Sequence, residues 1–375
     1  MPVLAAVAAL HPVALPDSAE TGALGVRHLK RYWARMQAAR QGAPPPHEPG
    51  DRQRDTLIVH GLGIGLEQVM RYLGDEAPDF AKFERWILTT AGGLPPERIA
   101  RLNAALADEV PPAATRQWLA TIDALPPVLS DDDLAHWREH GYVVVHDAVP
   151  DDTRDAAAQA LWDHLGARAD DADSWYVDND HGIMVQIFQH PAFEANRRAP
   201  RLQKAFAQLH GTSDLWATTD RVGFNVPERP GFTFRGPDLH WDVSLKQPIP
   251  FGTQGILYLT DTPPEQGAFT LVPGFHRWGG DWLASLPPGT DARTQNLHAL
   301  GSKAIGGRAG DLIIWHHALP HGASPNRGIR RGWCSTSTCS PPTSPSRKSG
   351  SRRRVWFRAA AYRTRSARRA ARLRW

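Results

Sequence analysis

The second half of the chain consists of short apolar runs that proline and glycine separate. Residues 255–259 and 311–315 are two such runs, and both have the length of a strand rather than of a helix. Several short runs of this kind predict an antiparallel β-architecture, for which a jelly roll is one solution. We therefore expect an α+β chain in which this β-structure follows an earlier helical part.

Residues 1–125 predict a mainly helical N-terminal extension without recognisable chemistry. Residues 26–39 have a helix-like mixture of apolar and basic residues, and three prolines at 44–46 end the pattern. The glycines within residues 61–65 lack the G-x-G-x-x-G spacing of a dinucleotide-binding loop. We interpret them as a turn between an apolar run and the next helix.

A second domain is expected to begin at the pair of prolines at 126–127 and to span residues 126–333. Ser130 and Asp133 have the spacing of a capping box, with Asp in place of the usual Glu, and they predict a helix start. Gly141 is expected to end that helix, and the apolar residues 142–145 predict a buried strand.

His240 and Asp242 are the strongest candidates for metal ligands. Residues two apart in a strand point to the same face, so both side chains can reach one ion while Trp241 points away. Two imidazoles and one carboxylate suit Fe(II) and leave coordination positions open for a co-substrate and oxygen. The second imidazole must come from farther along the chain, where there are three candidates: His316, His317 and His321.

Residues 126–333 resemble the phytanoyl-CoA dioxygenase family of Fe(II)- and 2-oxoglutarate-dependent oxygenases. Four segments carry the resemblance, namely a helix and strand at 129–145, the H-x-D triplet at 240–242, a G…P-G-x-H stretch at 267–277 and a histidine-containing segment at 310–326. Phe275 stands where the family usually has serine. The resemblance implies a double-stranded β-helix core, jelly-roll or cupin-like, with flanking helices.

The resemblance also implies a metal site and a reaction. The family places its distal histidine immediately before a glycine, which implies that His321 joins His240 and Asp242. The implied cofactor is Fe(II), with 2-oxoglutarate and O2 as co-substrates. The implied reaction hydroxylates a small organic molecule and releases succinate and CO2, with no catalytic residue beyond the metal ligands. Halogenating relatives replace the carboxylate with a small residue, so Asp242 favours hydroxylation.

Three further residues are expected to bind 2-oxoglutarate. Asn225 resembles an amide that contacts 2-oxoglutarate in relatives. Arg330 is expected to hold the far carboxylate, and Arg331 is the second choice for that role. His276 follows the Pro-Gly-Phe segment and is expected to be a structural hydrogen-bond donor rather than a ligand.

The net charge of +4 conceals two parts of opposite sign. Residues 334–375 hold 12 of the 43 basic residues and no acidic one, which leaves 31 basic against 39 acidic residues in the remainder. We therefore expect residues 1–333 to have no nucleic-acid partner. No apolar run reaches the ~20 residues that span a bilayer, so no membrane partner is expected. The first ten residues lack the basic start of an export signal, and the cytoplasm is the expected location.

The tail at residues 334–375 departs from the family resemblance. A Ser/Thr/Pro stretch that contains both cysteines leads into an arginine-rich stretch. A shifted reading frame accounts for this departure, because codons for residues 334–341 exist that encode Val-Gln-Tyr-Leu-Asn-Met-Phe-Pro when read one base earlier. One added base after the Arg330 codon would likewise turn residues 331–333 into Pro-Arg-Leu. We expect the tail as written to be disordered and to leave an unpaired sheet edge.

Two other functions fit parts of the sequence. A non-oxidative cupin-like metal enzyme or binding module could use the same three ligands, and it would form no succinate with iron. A nucleic-acid-binding protein could act through the basic tail, an interpretation that depends on the reading frame. Neither the substrate nor the oligomeric state follows from the sequence.

Overall fold

The chain divides into two compact units. The computed structural model describes residues 14–43, 45, 47–177, 181–328 and 336–338. The first unit contains the described residues up to 112, except that the short segment 63–66 groups with the second unit. The second unit therefore begins at residue 113, whereas the sequence predicts a boundary after residue 125.

Helices form the regular structure of the first unit: α1 Leu29–Arg40, α2 Asp51–Leu62, α3 Leu66–Asp75, α4 Phe80–Ala91 and α5 Pro96–Leu106. The apolar run at 57–59 lies inside α2 and is buried. Gly61 also belongs to α2, so the turn is shorter than the sequence predicts and centres on Gly63, whose φ is 72°. A left-handed φ costs glycine little, which explains why the helix ends there.

A buried ion cluster joins α1 to α2. The side chain of Asp51 is 1% exposed and accepts hydrogen bonds from Nε and Nη2 of Arg31, each at 3.2 Å. Arg35, also 1% exposed, lies 3.1 Å from Asp51 and 2.9 Å from Asp55. Buried charges are tolerated only when they are paired, so this cluster ties the two helices together.

The second unit adds the helices α6 Ala113–Ala124, α7 Asp131–His140, α8 Asp151–Leu165, α9 Pro191–Arg197, α10 Pro200–His210 and α11 Phe275–Ser285. Helix α6 belongs here because it packs against α10, where Lys204 Nζ donates to the carbonyl of Asp123 at 2.7 Å. Among the described residues, no helix is both long and apolar enough to cross a bilayer.

The predicted start and end of α7 are confirmed. Ser130 accepts a hydrogen bond from the backbone N–H of Asp133, and the Asp133 carboxylate accepts one from the backbone N–H of Ser130. Gly141 ends the helix with a φ of 76°. The predicted strand at 142–145 follows at once, so local signals set this helix–strand connection.

The strands are β1 Tyr142–Val145, β2 Met184–Val185, β3 Val222–Gly223, β4 Thr253–Tyr258, β5 Phe269–Leu271, β6 Lys303–Ile305, β7 Leu312–His316, β8 His321–Ala323 and β9 Thr336–Thr338. They form two antiparallel sheets, one in the order β1-β7-β4-β9-β3-β2 and a smaller one in the order β6-β5-β8. The chain thus combines helices and sheets, as the sequence predicts.

Successive side chains of β4 and β7 point to opposite faces of the larger sheet, and each face meets an apolar layer. Leu257 and Ile314 belong to the core that the sheet shares with helices such as α8 and α10. Ile256 and Trp315 point the other way, into a second core that includes Phe269 of the smaller sheet. Both faces of the sheet are therefore covered, and the second core lies between the two sheets.

Strand β9 corrects one expectation about the tail. Its backbone pairs with β4 on one side and β3 on the other, so residues 336–338 do join the sheet. Ladder hydrogen bonds come from the backbone, and a Ser/Thr stretch can therefore fill a gap between two strands without an apolar side chain. The expected unpaired edge at this position is wrong. Cys334 and Cys339 lie outside the described residues.

Candidate metal centre

Two backbone hydrogen bonds bring the first and last candidate ligands together. His240 N donates to the carbonyl of His321, and His321 N donates to the carbonyl of His240, both at 2.9 Å. His321 begins β8, whereas His240 forms an isolated bridge and Asp242 lies in a bend. The expectation that the H-x-D triplet lies on a regular strand is therefore wrong, although its two side chains still converge.

The ligand atoms of His240, Asp242 and His321 all lie within 4.8 Å of one another. Nε2 of His240 is 3.3 Å from Oδ1 of Asp242, and Nε2 of His321 is 3.2 Å from Oδ2 of the same carboxylate. Three ligand atoms at this spacing could hold one metal ion.

The neighbouring histidines are occupied elsewhere. His317 Nε2 bonds the carbonyl of Pro250, and His316 Nδ1 accepts from the backbone N–H of Ala318. Burial lowers the pKa of His316 to about 3 and that of His317 to about 4. Both rings are therefore neutral packing residues, and the structure brings neither into the triad.

Each histidine of the triad is oriented by a backbone carbonyl. Nδ1 of His240 bonds the carbonyl of Asp238 at 2.7 Å, and Nδ1 of His321 bonds that of Leu319 at 3.0 Å. A neutral ring that donates through Nδ1 presents the lone pair of Nε2 toward Asp242. This tautomer is the one that a metal ion requires.

The charge balance of the site also suits a cation. Burial alone would raise the pKa of Asp242, but the neighbouring side chains of His240 and His321 outweigh burial and hold its pKa well below the ordinary value. Burial alone would lower the pKa of His240, and the same carboxylate raises it instead. Oδ1 of Asp242 is buried and has no hydrogen bond to the described residues. A metal ion would satisfy this oxygen.

The structure adds two contacts that the sequence analysis missed. Gln254 Nε2 donates to Oδ2 of Asp242 at 2.6 Å. Arg293 donates to the carbonyls of Trp241 and Val243, each at 2.6 Å, and so holds the backbone on both sides of the carboxylate. The sequence does contain a signal for Gln254, because it is a long polar residue next to the apolar residues of β4. All six residues of that strand are buried.

The structure describes one of the three residues expected to bind 2-oxoglutarate. Asn225 is 4% exposed, and its Nδ2 donates to the carbonyls of Gly267 and Ser324. Its amide thus joins two loops, and its expected contact with 2-oxoglutarate stays a prediction. Arg330 and Arg331 lie outside the described residues. His276 Nε2 lies 3.3 Å from the carbonyl of Arg138, as expected for a structural hydrogen bond.

A comparison with protein-family models finds one that matches residues 137–332, more than half of the chain, and is described as phytanoyl-CoA dioxygenase (PhyH). The chain belongs to this family. As a phytanoyl-CoA dioxygenase family protein, it is an enzyme, an Fe(II)- and 2-oxoglutarate-dependent oxygenase. Membership of this oxygenase family argues against the alternative of a non-oxidative cupin-like metal enzyme or binding module. The matched residues include all three members of the triad.

Individual relatives are distant. A phytanoyl-CoA dioxygenase homologue from Dictyostelium discoideum is 19% identical over 245 residues, which are 52% of this chain and 70% of that protein. EctD from S. alaskensis, in its apo structure, is 22% identical in sequence. The match covers 58% of this chain and 81% of the EctD chain, with a TM-score of 0.42. SnoK, a non-heme alpha ketoglutarate dependent carbocyclase from nogalamycin biosynthesis, is 18% identical in sequence. The match covers 59% of this chain and 85% of the SnoK chain, with a TM-score of 0.40.

Proposed function

We propose that His240, Asp242 and His321 hold Fe(II), and that the enzyme hydroxylates a small organic molecule. The single observation that carries this proposal is the convergence of the three ligand atoms within 4.8 Å. Iron with this ligand set supplies the oxidative chemistry, in which O2 converts 2-oxoglutarate to succinate and CO2. The protein binds and orients the reactants and excludes water.

Retention of Asp242 supports hydroxylation over halogenation. The carboxylate would take up one coordination position and its negative charge would balance the metal, which would leave no position for a halide beside 2-oxoglutarate and O2. Asn225 and one arginine, Arg330 or Arg331, are proposed to hold 2-oxoglutarate. We further propose that the two facing sheets form the double-stranded β-helix of the family, with the second core as its interior.

Succinate formation tests the proposal directly. The protein is loaded with Fe(II), supplied with 2-oxoglutarate and air, and screened against small organic molecules by oxygen consumption. We expect succinate and a product heavier by one oxygen atom with Fe(II), and neither with Zn(II). An Asp242→Ala variant should lose both products. Succinate formation that is equal with zinc, or unchanged in D242A, would contradict the proposed metal site.

A further inference from the structure

Gln254 is a buried primary amide in the middle of an apolar sheet. It lies on β4, all six residues of which are buried, and it is itself 6% exposed. An amide in such surroundings costs roughly 1–3 kcal/mol unless it makes hydrogen bonds, so its partner is informative. That partner is the carboxylate of Asp242.

The two oxygens of Asp242 have different surroundings. Oδ2 accepts a hydrogen bond from Gln254 Nε2 at 2.6 Å and also faces His321 Nε2 at 3.2 Å. Oδ1 is buried and has no hydrogen bond to the described residues, and it lies 3.3 Å from His240 Nε2. One oxygen is therefore already engaged by the protein, and the other is left for a cation.

We propose that Gln254 is a positioning residue that makes Oδ1 the single metal-binding oxygen of Asp242. The inference rests on the proposed function, because it concerns how the same carboxylate meets the metal. Carboxylates bind metals through one oxygen or through both, and a second oxygen occupies a second coordination position. By engaging Oδ2, Gln254 keeps that position open for 2-oxoglutarate or oxygen.

The orientation of the amide supports this role. Oε1 of Gln254 is buried without a hydrogen-bond partner among the described residues, so the side chain leaves its own acceptor unsatisfied while its donor meets Asp242. Rotating the amide by half a turn would place Oε1 against a carboxylate oxygen, which is repulsive. Trp315 is the cross-strand partner of Gln254, and its ring packs on that of His321.

Cobalt(II) serves as a spectroscopic probe for this inference, because its visible absorption reports coordination without turnover. Gln254→Met removes the donor and keeps the length of the side chain. Gln254→Glu keeps the shape and replaces the donor with an acceptor. Thr253→Val is the matched control on the same buried strand, since Thr253 bonds His210 rather than the triad.

In both Gln254 variants we expect a changed cobalt(II) spectrum and a loss of about 10–100-fold in cobalt(II) or 2-oxoglutarate affinity, measured by calorimetry. The Thr253→Val variant should have the same cobalt(II) spectrum and the same affinities as the unaltered protein. Thermal unfolding shows which variants fold. If Q254M does not fold, the spectrum and affinities of Q254E test the inference. A folded Gln254 variant with unaltered spectrum and affinities would overturn the inference alone. An unaltered protein that binds no cobalt(II) would overturn the proposed function together with it.

Discussion

His240 and His321 are joined by a reciprocal pair of backbone hydrogen bonds, each 2.9 Å long, although 81 positions separate them in the chain. This pair fixes the two backbones side by side, and the centroids of the two rings lie 4.8 Å apart. The metal site is thus organised by the backbone as well as by its side chains.

We expect Gly322→Ala to weaken metal binding. A Cβ at this position would lie 2.8 Å from the carbonyl oxygen of Pro237 and 2.9 Å from backbone atoms of Asp238, so β8 must move away from the H-x-D segment. Overpacking of this kind costs roughly 1–3 kcal/mol, and here the shift separates His321 from His240. Calorimetric titration with cobalt(II) should show at least a tenfold weaker site, about 1.4 kcal/mol.

A glycine with free space around it is the control for this prediction. A Cβ added to Gly74, in α3, would meet nothing within 4 Å, and Gly74→Ala should leave cobalt(II) binding unchanged. If Gly322→Ala also binds cobalt(II) as well as the unaltered protein does, the backbone bridge does not control the site.

The buried ion cluster should be essential for the first unit. Asp51→Asn removes the buried carboxylate that Arg31 and Arg35 share, and removal of one partner from a buried ion pair costs roughly 3–5 kcal/mol. Urea unfolding should show a loss of that order. Asp151→Asn is the control, since Asp151 is 82% exposed and pairs with Arg154 on the surface, where we expect a change below ~1 kcal/mol. If the two variants lose equally little unfolding free energy, the ion cluster is not needed for the stability of the first unit.

His60 should make the protein less stable in mild acid. Burial lowers its pKa to about 4 from 6.5, and neither ring nitrogen has a hydrogen-bond partner among the described residues. Because the unfolded chain binds the proton more readily, stability is fully present above pH 6.5 and falls as the pH drops toward 4. His60→Leu should reduce the loss measured by urea unfolding between pH 7 and 5 by ~2 kcal/mol. An unchanged loss in H60L would show that other groups cause it.

Two truncations test the role of β9. A chain that ends at residue 338 keeps Thr336–Thr338 between β3 and β4, whereas a chain that ends at residue 333 removes this strand and exposes both neighbours. We expect the shorter chain to lose at least ~2 kcal/mol in stability and to aggregate, because unpaired strand edges pair with other chains. Light scattering and thermal unfolding measure both effects. Equal behaviour of the two truncations would contradict the pairing.

Sequencing of the gene tests the reading-frame hypothesis. With one base restored after the Arg330 codon, residues 336–338 would read Tyr-Leu-Asn, so the apolar strand would fall on β9. The same change would place an arginine 11 residues after His321, where the family resemblance expects the 2-oxoglutarate anchor. We expect the frame-restored protein to unfold at a higher temperature and to bind 2-oxoglutarate more tightly. An intact frame in the gene would refute the hypothesis, whereas equal 2-oxoglutarate affinity would show that Arg330 was already the anchor.

Local chemistry in the sequence was sufficient for several features. The capping box of Ser130 and Asp133 and the left-handed Gly141 involve residues close together in the chain, and their hydrogen bonds form as the spacing predicts. The H-x-D triplet and the glycine after His321 identified the metal-site candidates through the family resemblance. Chain spacing alone did not choose among His316, His317 and His321.

Tertiary structure decided the features that depend on which segments become neighbours. Gln254 reaches Asp242 because β4 packs beside the H-x-D segment, and Arg293 reaches the same segment from 50 positions away. Strand β9 joins the sheet through backbone hydrogen bonds, which apolar patterning does not reveal. Periodicity and capping depend on residues a few positions apart, whereas these contacts depend on strand order and register, which follow only from how the whole domain buries its apolar surface.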